Sequence, residues 1–219
     1  IGATIKKAFD IGADLEQQIG GVETLFAESS AIIRKYADDA YRTAGVSANE
    51  YMKNVTSFSA SLLQGLGGDT AKAAEYANTA MVDMSDNANK FGTDIGAIQN
   101  AYQGFSKQNY TMLDNLKLGY GGTKTEMQRL IKDASQMKDV QKELGVTVDG
   151  SSMSFANCVN AISVMQKHLG IAGTTAREAS TTIEGSVNSM KAAWANLMVG
   201  LADDNANFPQ LMSNFTDSL

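Results

Sequence analysis

One cysteine, one proline and one histidine in 219 residues set the first limits on this chain. A lone thiol at Cys158 excludes an intrachain disulfide and fits folding in a reducing compartment. One His and one Cys make no zinc site unless several carboxylates join them. A nucleophilic dyad has only Cys158 and His168 to draw on, ten residues apart on what reads as one helix. That spacing puts them some 80° apart in azimuth and about 15 Å apart along the axis, out of reach of each other. Cys158 is read as a small buried hydrophobe. His168 is read as a helix C-terminal residue favoured by the dipole.

Basic clusters are also missing. Eighteen Lys and Arg stand against 24 Asp and Glu, a net charge of −6. Proteins that grip nucleic acid by neutralising phosphates carry a basic patch, so sequence-specific nucleic-acid binding is not expected. No apolar run reaches the length of a membrane span. Alternating apolar stretches are absent too, which leaves no strand signal. Aromatics make up 7% of the chain. Tyr102, Phe105, Tyr110 and Tyr120 lack interleaved basic residues, so they are read as core rather than as a base-stacking platform.

What remains is a helical period. Val22, Leu25, Phe26, Ile32, Ile33, Tyr36 and Ala40 follow i, i+3, i+4 spacing, which predicts one helix closed by Gly45. Ser47 and Glu50 form a capping box opening a helix with Tyr51, Met52, Val55, Phe58, Leu62 and Leu63 on one face. Asp69 caps an Ala-rich helix reaching about Lys90. Thr93 starts another, carrying Ile98, Ala101, Tyr102 and Phe105. Residues 109–122 are less regular. Thr123 and Glu126 repeat the capping box, and a single helix is expected from there to Gly145. Residues 146–151 read as a loop. A further helix covers 154–169. Thr175 and Glu178 form a third box, opening the last long helix, and Pro209 suits the first turn of a short terminal one. The expectation is an all-α fold of about seven helices joined by short glycine-rich turns, a compact or jointed helical module.

Few residues offer chemistry. The carboxylate pairs Asp38–Asp39, Asp83 with Asp86, and Asp203–Asp204 are read as solvated. Asp83 and Asp86 share a helix face near an expected helix end, where a shared cation is the minor alternative. Gly122-Thr123-Lys124-Thr125 departs from a phosphate-binding loop by one residue and follows no buried strand, so it is read as a helix–helix turn. Of the eleven methionines, most sit at core spacing. Met190, Trp194 and Met198 are read as core packing by default, with a partner surface as the alternative. No catalytic, cofactor-binding or metal-binding residue is assigned, and no cofactor is expected.

Residues 56–131, TSFSASLLQGLGGDTAKAAEYANTAMVDMSDNANKFGTDIGAIQNAYQGFSKQNYTMLDNLKLGYGGTKTEMQRLI, resemble the conserved region of tail tape measure proteins from phages and prophages of Gram-positive bacteria. So do STTIEGSVNSMKAAWANLMVGLADDNAN at 180–207 and GGVETLF at 20–26. The resemblance implies residues 1–150 as a conserved helical region, with 151–219 as a C-terminal helical segment packed on it or continuing it. It implies a non-enzymatic structural and assembly protein that fills the tail lumen, sets tail length and leaves ahead of the genome. The implied partners are tail tube protein, tail assembly chaperones and tail tip or distal tail proteins, with self-association in the tail. The implied location is the virion, after assembly in the host cytoplasm. The chain begins at Ile1 rather than Met, and a segment of a longer chain is expected. The alternative is a helical adaptor or binding module of an injection machine.

Overall fold

The computed structural model describes the backbone of residues 2–181, 183–200 and 206–218, and side chains within 14–179, 188–200 and 206–218. Every regular element among them is helical: α1 Gly2–Phe26, α2 Ser30–Thr43, α3 Ala48–Gly65, α4 Thr70–Phe91, α5 Ile95–Ser106, α6 Lys124–Gln136, α7 Lys138–Leu144, α8 Phe155–His168, α9 Thr174–Thr181, α10 Ile183–Gly200 and α11 Phe208–Asp217. Short 3-10 turns occur at Ala27–Ser29 and Leu113–Leu116. The all-α expectation holds, but the segments outnumber the seven expected.

The extra breaks have local causes. The run from Val22 to Ala40 is not one helix. Ala27 adopts φ +46, a left-handed conformation that a Cβ disfavours, and the chain passes through a 3-10 turn before α2 begins. Val22, Phe26 and Ile33 are buried on either side of that break. The expected helix from Thr123 to Gly145 divides at Met137, whose ψ of 65° leaves the helical range. The box at Thr175 and Glu178 does not open a helix either, because α9 already begins at Thr174.

Other signals act as written. The Asp69 carboxylate accepts from the Lys72 N–H at 3.0 Å and caps α4. Gly92 closes the same helix at φ +60. Asp94 rather than Thr93 caps α5, accepting from Ala97 N–H at 3.1 Å. The Ser47 hydroxyl accepts from Glu50 N–H at 3.3 Å ahead of α3. Thr123 caps α6, while Glu126 reaches Gly121 N–H at 3.0 Å instead of the cap residue. Pro209 stands in the first turn of α11.

The chain folds as two compact units. Residues 1–56 and 175–219 form the first. There α10 packs on α1, α2 and α11, and Tyr41, Ala192 and Ala193 make a buried cluster with Phe215 against it. Residues 57–174 form the second. Its centre is α8, which packs on α4, α5, α6 and α7. Every residue from Phe155 to Gln166 is buried. Phe58 meets Phe155 edge-on at 5.8 Å, and Phe105 lies between Tyr102 and Tyr110. All four aromatics read as core are buried.

Candidate functional site

In the first unit, Met190, Trp194 and Met198 recur every fourth residue along α10, so their side chains follow one slowly turning stripe. Met190 and Met198 are partly buried. Trp194 is 49% exposed, and its ring lies 5.2 Å from that of Phe215 on α11. Phe208, Leu211, Met212 and Phe215 give α11 an apolar face, yet none of its residues is buried. Met212 stays exposed. Gly200 permits this docking: a Cβ there would run into the Leu211 side chain.

Beside this stripe lies a cleft of about 360 Å³ in the same unit, lined by Leu15, Ile19, Met52, Val199 and Leu211 with Asn49 and Asn196 among its polar groups. Asn196 accepts from Ala48 N–H at 2.8 Å and so holds the first turn of α3. The cleft mixes apolar side chains with amides and with the charged Arg34 and Asp38.

The second unit holds a site that reading the sequence placed in solvent. Asp83 and Asp86 are 4% and 1% exposed. α4 runs five residues beyond Asp86, to Phe91, so neither carboxylate stands at a helix end. Asp83 meets a polar series on α8 made of Asn157, Asn160, Ser163 and Gln166, spaced by three and all buried. Asn157 bonds Asp149 N–H, Asp149 C=O and Ser152 C=O at 2.7–2.9 Å and pins the loop before α8. The Asn160 amide donates to the Tyr76 hydroxyl at 3.0 Å and to the Thr147 carbonyl at 3.1 Å. The Ser163 hydroxyl bonds the Asp83 carboxylate. The Gln166 amide donates to the Asp83 carbonyl at 3.2 Å.

Burial, and then the charge of Asp86, push the Asp83 carboxyl well above the usual range, against the opposing pull of Ser163. Asp86 accepts from Gly173 N–H at 2.6 Å. The Tyr102 hydroxyl on α5 is fully buried and is raised by burial first, then by Asp83 and Asp86. Four buried polar atoms around Asp83 have no protein partner: Asp83 Oδ2, Asn87 Oδ1, Tyr102 Oη and Gln166 Oε1.

The remaining sequence candidates fall elsewhere. Cys158 is buried, and burial raises its thiol to about 12. His168 ends α8 and is exposed. Gly122 precedes the α6 cap, and no strand stands before it among the described residues. Its value is close approach rather than a left-handed conformation, since a Cβ would strike the Thr111 carbonyl oxygen. Asp39 pairs with Arg42 at 3.0 Å on the surface of α2. Asp203–Asp204 lies outside the described residues. Among the described residues no group of three or more His, Cys, Asp or Glu is placed to hold a metal, and no helix is long and apolar enough to cross a membrane.

The buried stripe had a visible signal. Residues 150–166 carry no charge. A helix whose only charged positions are in its last turn has no obvious solvent face before it, so the Asn, Ser and Gln of that stretch belong inside. Compared with protein-family models, with curated proteins and with solved structures, the chain finds no match.

Proposed function

We propose that this chain is a structural and assembly segment of a phage tail tape measure protein, acting as a folded docking module attached to the part that measures length. The observation that carries the proposal is the resemblance of residues 56–131 to the conserved region of that family. In the fold this stretch spans the second half of α3, all of α4 and α5, and the first half of α6.

The all-helical architecture supports the reading. A tape measure works because a helix rises about 1.5 Å per residue, and 219 residues in one rod would reach roughly 330 Å. Among the described residues no single helical element exceeds 25 residues. α8 is enclosed by its neighbours, as a rod helix cannot be. A compact unit of this kind suits assembly contacts, with tube, chaperone and tip proteins as the partners. The exposed Trp194 and Met212, with Met190 and Met198 alongside, are the surface we assign to such contacts.

Antibody raised against the purified chain tests this on particles released by the bacterium that encodes it. Labelled tails, together with tails that fail to assemble when residues 57–174 are deleted, support a docking module. Tails shortened in proportion to the deletion would place the measuring role in this segment instead. Intact tails that lack the chain altogether would sink the reading.

A further inference from the structure

Asp83 is a carboxyl almost shut off from solvent. The residue is 4% exposed and meets Ser163 and Gln166 of α8. The Ser163 hydroxyl bonds the carboxylate, while Oδ2 has no protein donor. Among the described residues no Lys, Arg or His forms an ion pair with it. The helices packed around it bring no counter-charge. α5 has one titratable residue, Tyr102, itself fully buried. α8 holds Cys158, which bonds Tyr110, Lys167, which pairs with Glu143 at 2.7 Å, and the exposed His168. On α4, Lys72, Glu75 and Lys90 are exposed, and the Tyr76 hydroxyl accepts from Asn160. The charge that acts on Asp83 is that of Asp86, and it is negative. A buried carboxylate in such a place is costly, and a proton removes the cost. The proton also turns an oxygen without a donor into a donor. Asn87, one turn along α4, and Gln166, bonded at 3.2 Å to the Asp83 carbonyl, each hold an unfilled acceptor oxygen.

We infer that Asp83 enters the folded second unit as a neutral acid and works as a pH-sensitive latch, closed while it holds its proton and loosened when it ionises. Burial first, and then Asp86, favour the protonated form against the pull of Ser163. The unfolded chain gives up this proton at the ordinary carboxyl value of 3.8, and the folded chain holds it to higher pH. Over that interval the folded state binds the extra proton, so its stability falls as pH rises. The contribution is complete below pH 3.8 and is gone once pH has passed the folded value. Ionisation leaves a charge without a counter-charge where α4 meets α8, so those two helices open most readily.

The experiment is amide hydrogen exchange on the purified 219-residue chain, read by mass spectrometry on peptides from α4 and α8 and corrected for the intrinsic pH dependence of exchange. Protection there falls by about tenfold per unit from pH 5 to pH 7. Asp83→Asn keeps the shape of the side chain without a proton to lose, and its protection is flat over the same range. Infrared spectroscopy of the wild-type chain gives a second reading that needs no variant: a protonated carboxyl stretch persists at pH 7, where ordinary carboxyls have ionised. Three results overturn the inference. The first is wild-type protection that does not change between pH 5 and pH 7. The second is the same fall in Asp83→Asn, which assigns it to another group. The third is a wild-type spectrum with no protonated carboxyl at pH 7, and this reading decides alone if Asp83→Asn does not fold.

Discussion

Replacing Gln141 by Leu tests how the break between α6 and α7 is held. The helix stops at Met137 with neither glycine nor proline to stop it, and the buried Gln141 side chain does the work of a cap. Its amide nitrogen donates to the Ala134 and Ser135 carbonyls at 2.9 and 3.1 Å. Its oxygen accepts from Val148 N–H at 3.0 Å and so fastens the loop after α7. Ala134 O keeps a second donor, Met137 N–H at 3.1 Å. Ser135 O and Val148 N–H are left without the side chain that satisfies them. Two orphaned buried groups cost about 1–3 kcal/mol each, and the apolar replacement offsets part of that by its own burial, leaving a net loss of about 2–4 kcal/mol. Followed by circular dichroism in urea, the midpoint falls by about 1–2 M for a slope near 2 kcal/mol/M. Gln141→Glu gives a second handle. It keeps the acceptor for Val148 but sets a carboxylate against two carbonyls, so it is worse at neutral pH and recovers in acid as the carboxyl gains a proton to donate. A Gln141→Leu protein within about 0.5 kcal/mol of wild type would refute the argument and leave the corner to packing alone.

Gly122→Ala drives a methyl into the Thr111 carbonyl and costs about 1–3 kcal/mol in urea unfolding. Gly121→Ala, whose Cβ meets Glu126 at an ordinary 3.6 Å, costs less, and equal effects would dismiss the close-approach account. Cys158, with its thiol raised to about 12 by burial, stays unreactive to a disulfide reagent at pH 8 until the protein is denatured, and rapid native labelling would contradict its placement. The Arg129 side-chain bond, and then Gly121 N–H, hold the Glu126 carboxyl down to about 2 from an ordinary 4.5. Its folded value is the lower one, so its contribution is complete above pH 4.5 and fades as pH falls through about 2. Glu126→Gln therefore flattens the acid limb of stability, and an unchanged limb would exclude this residue as a source of it.

The apolar positions of α4 and α6 are legible from the period, although α4 is buried on all sides from Asp83 to Ala88. Ala73, Ala77, Ala80, Met81 and Met84 on α4 and Met127, Leu130, Ile131 and Ala134 on α6 are all buried as their spacing requires. Caps were equally plain, since Asp69, Ser47 and Thr123 act on N–H groups three residues away. What escaped was set by side-chain bonds that leave no mark on the apolar period. The break at Met137 depends on a glutamine only a few residues on, in the next helix. Asp83 is buried by a helix that begins 72 positions later in the chain, bearing Gln166 at 83 positions, and no window of 11–18 residues contains both of those.

α8 shows how such a pair still leaves a trace. Phe155, Ala156, Cys158, Val159, Ala161, Ile162, Val164 and Met165 are all buried. At about 100° per residue they occupy every side of the cylinder, so no polar arc remains to face water. Asn157, Asn160, Ser163 and Gln166 wind across that apolar surface, turning by about 60° at each step. Each must then find a partner inside, because a buried amide or hydroxyl without one is destabilising. A polar stripe across a helix that is apolar on all sides therefore announces polar groups on whichever element covers it. Here these are Tyr76 and Asp83 on α4 and the loop before α8. The same requirement removes the two α4 carboxylates from the surface, since the face of α4 that meets the stripe is the one that carries Asp83.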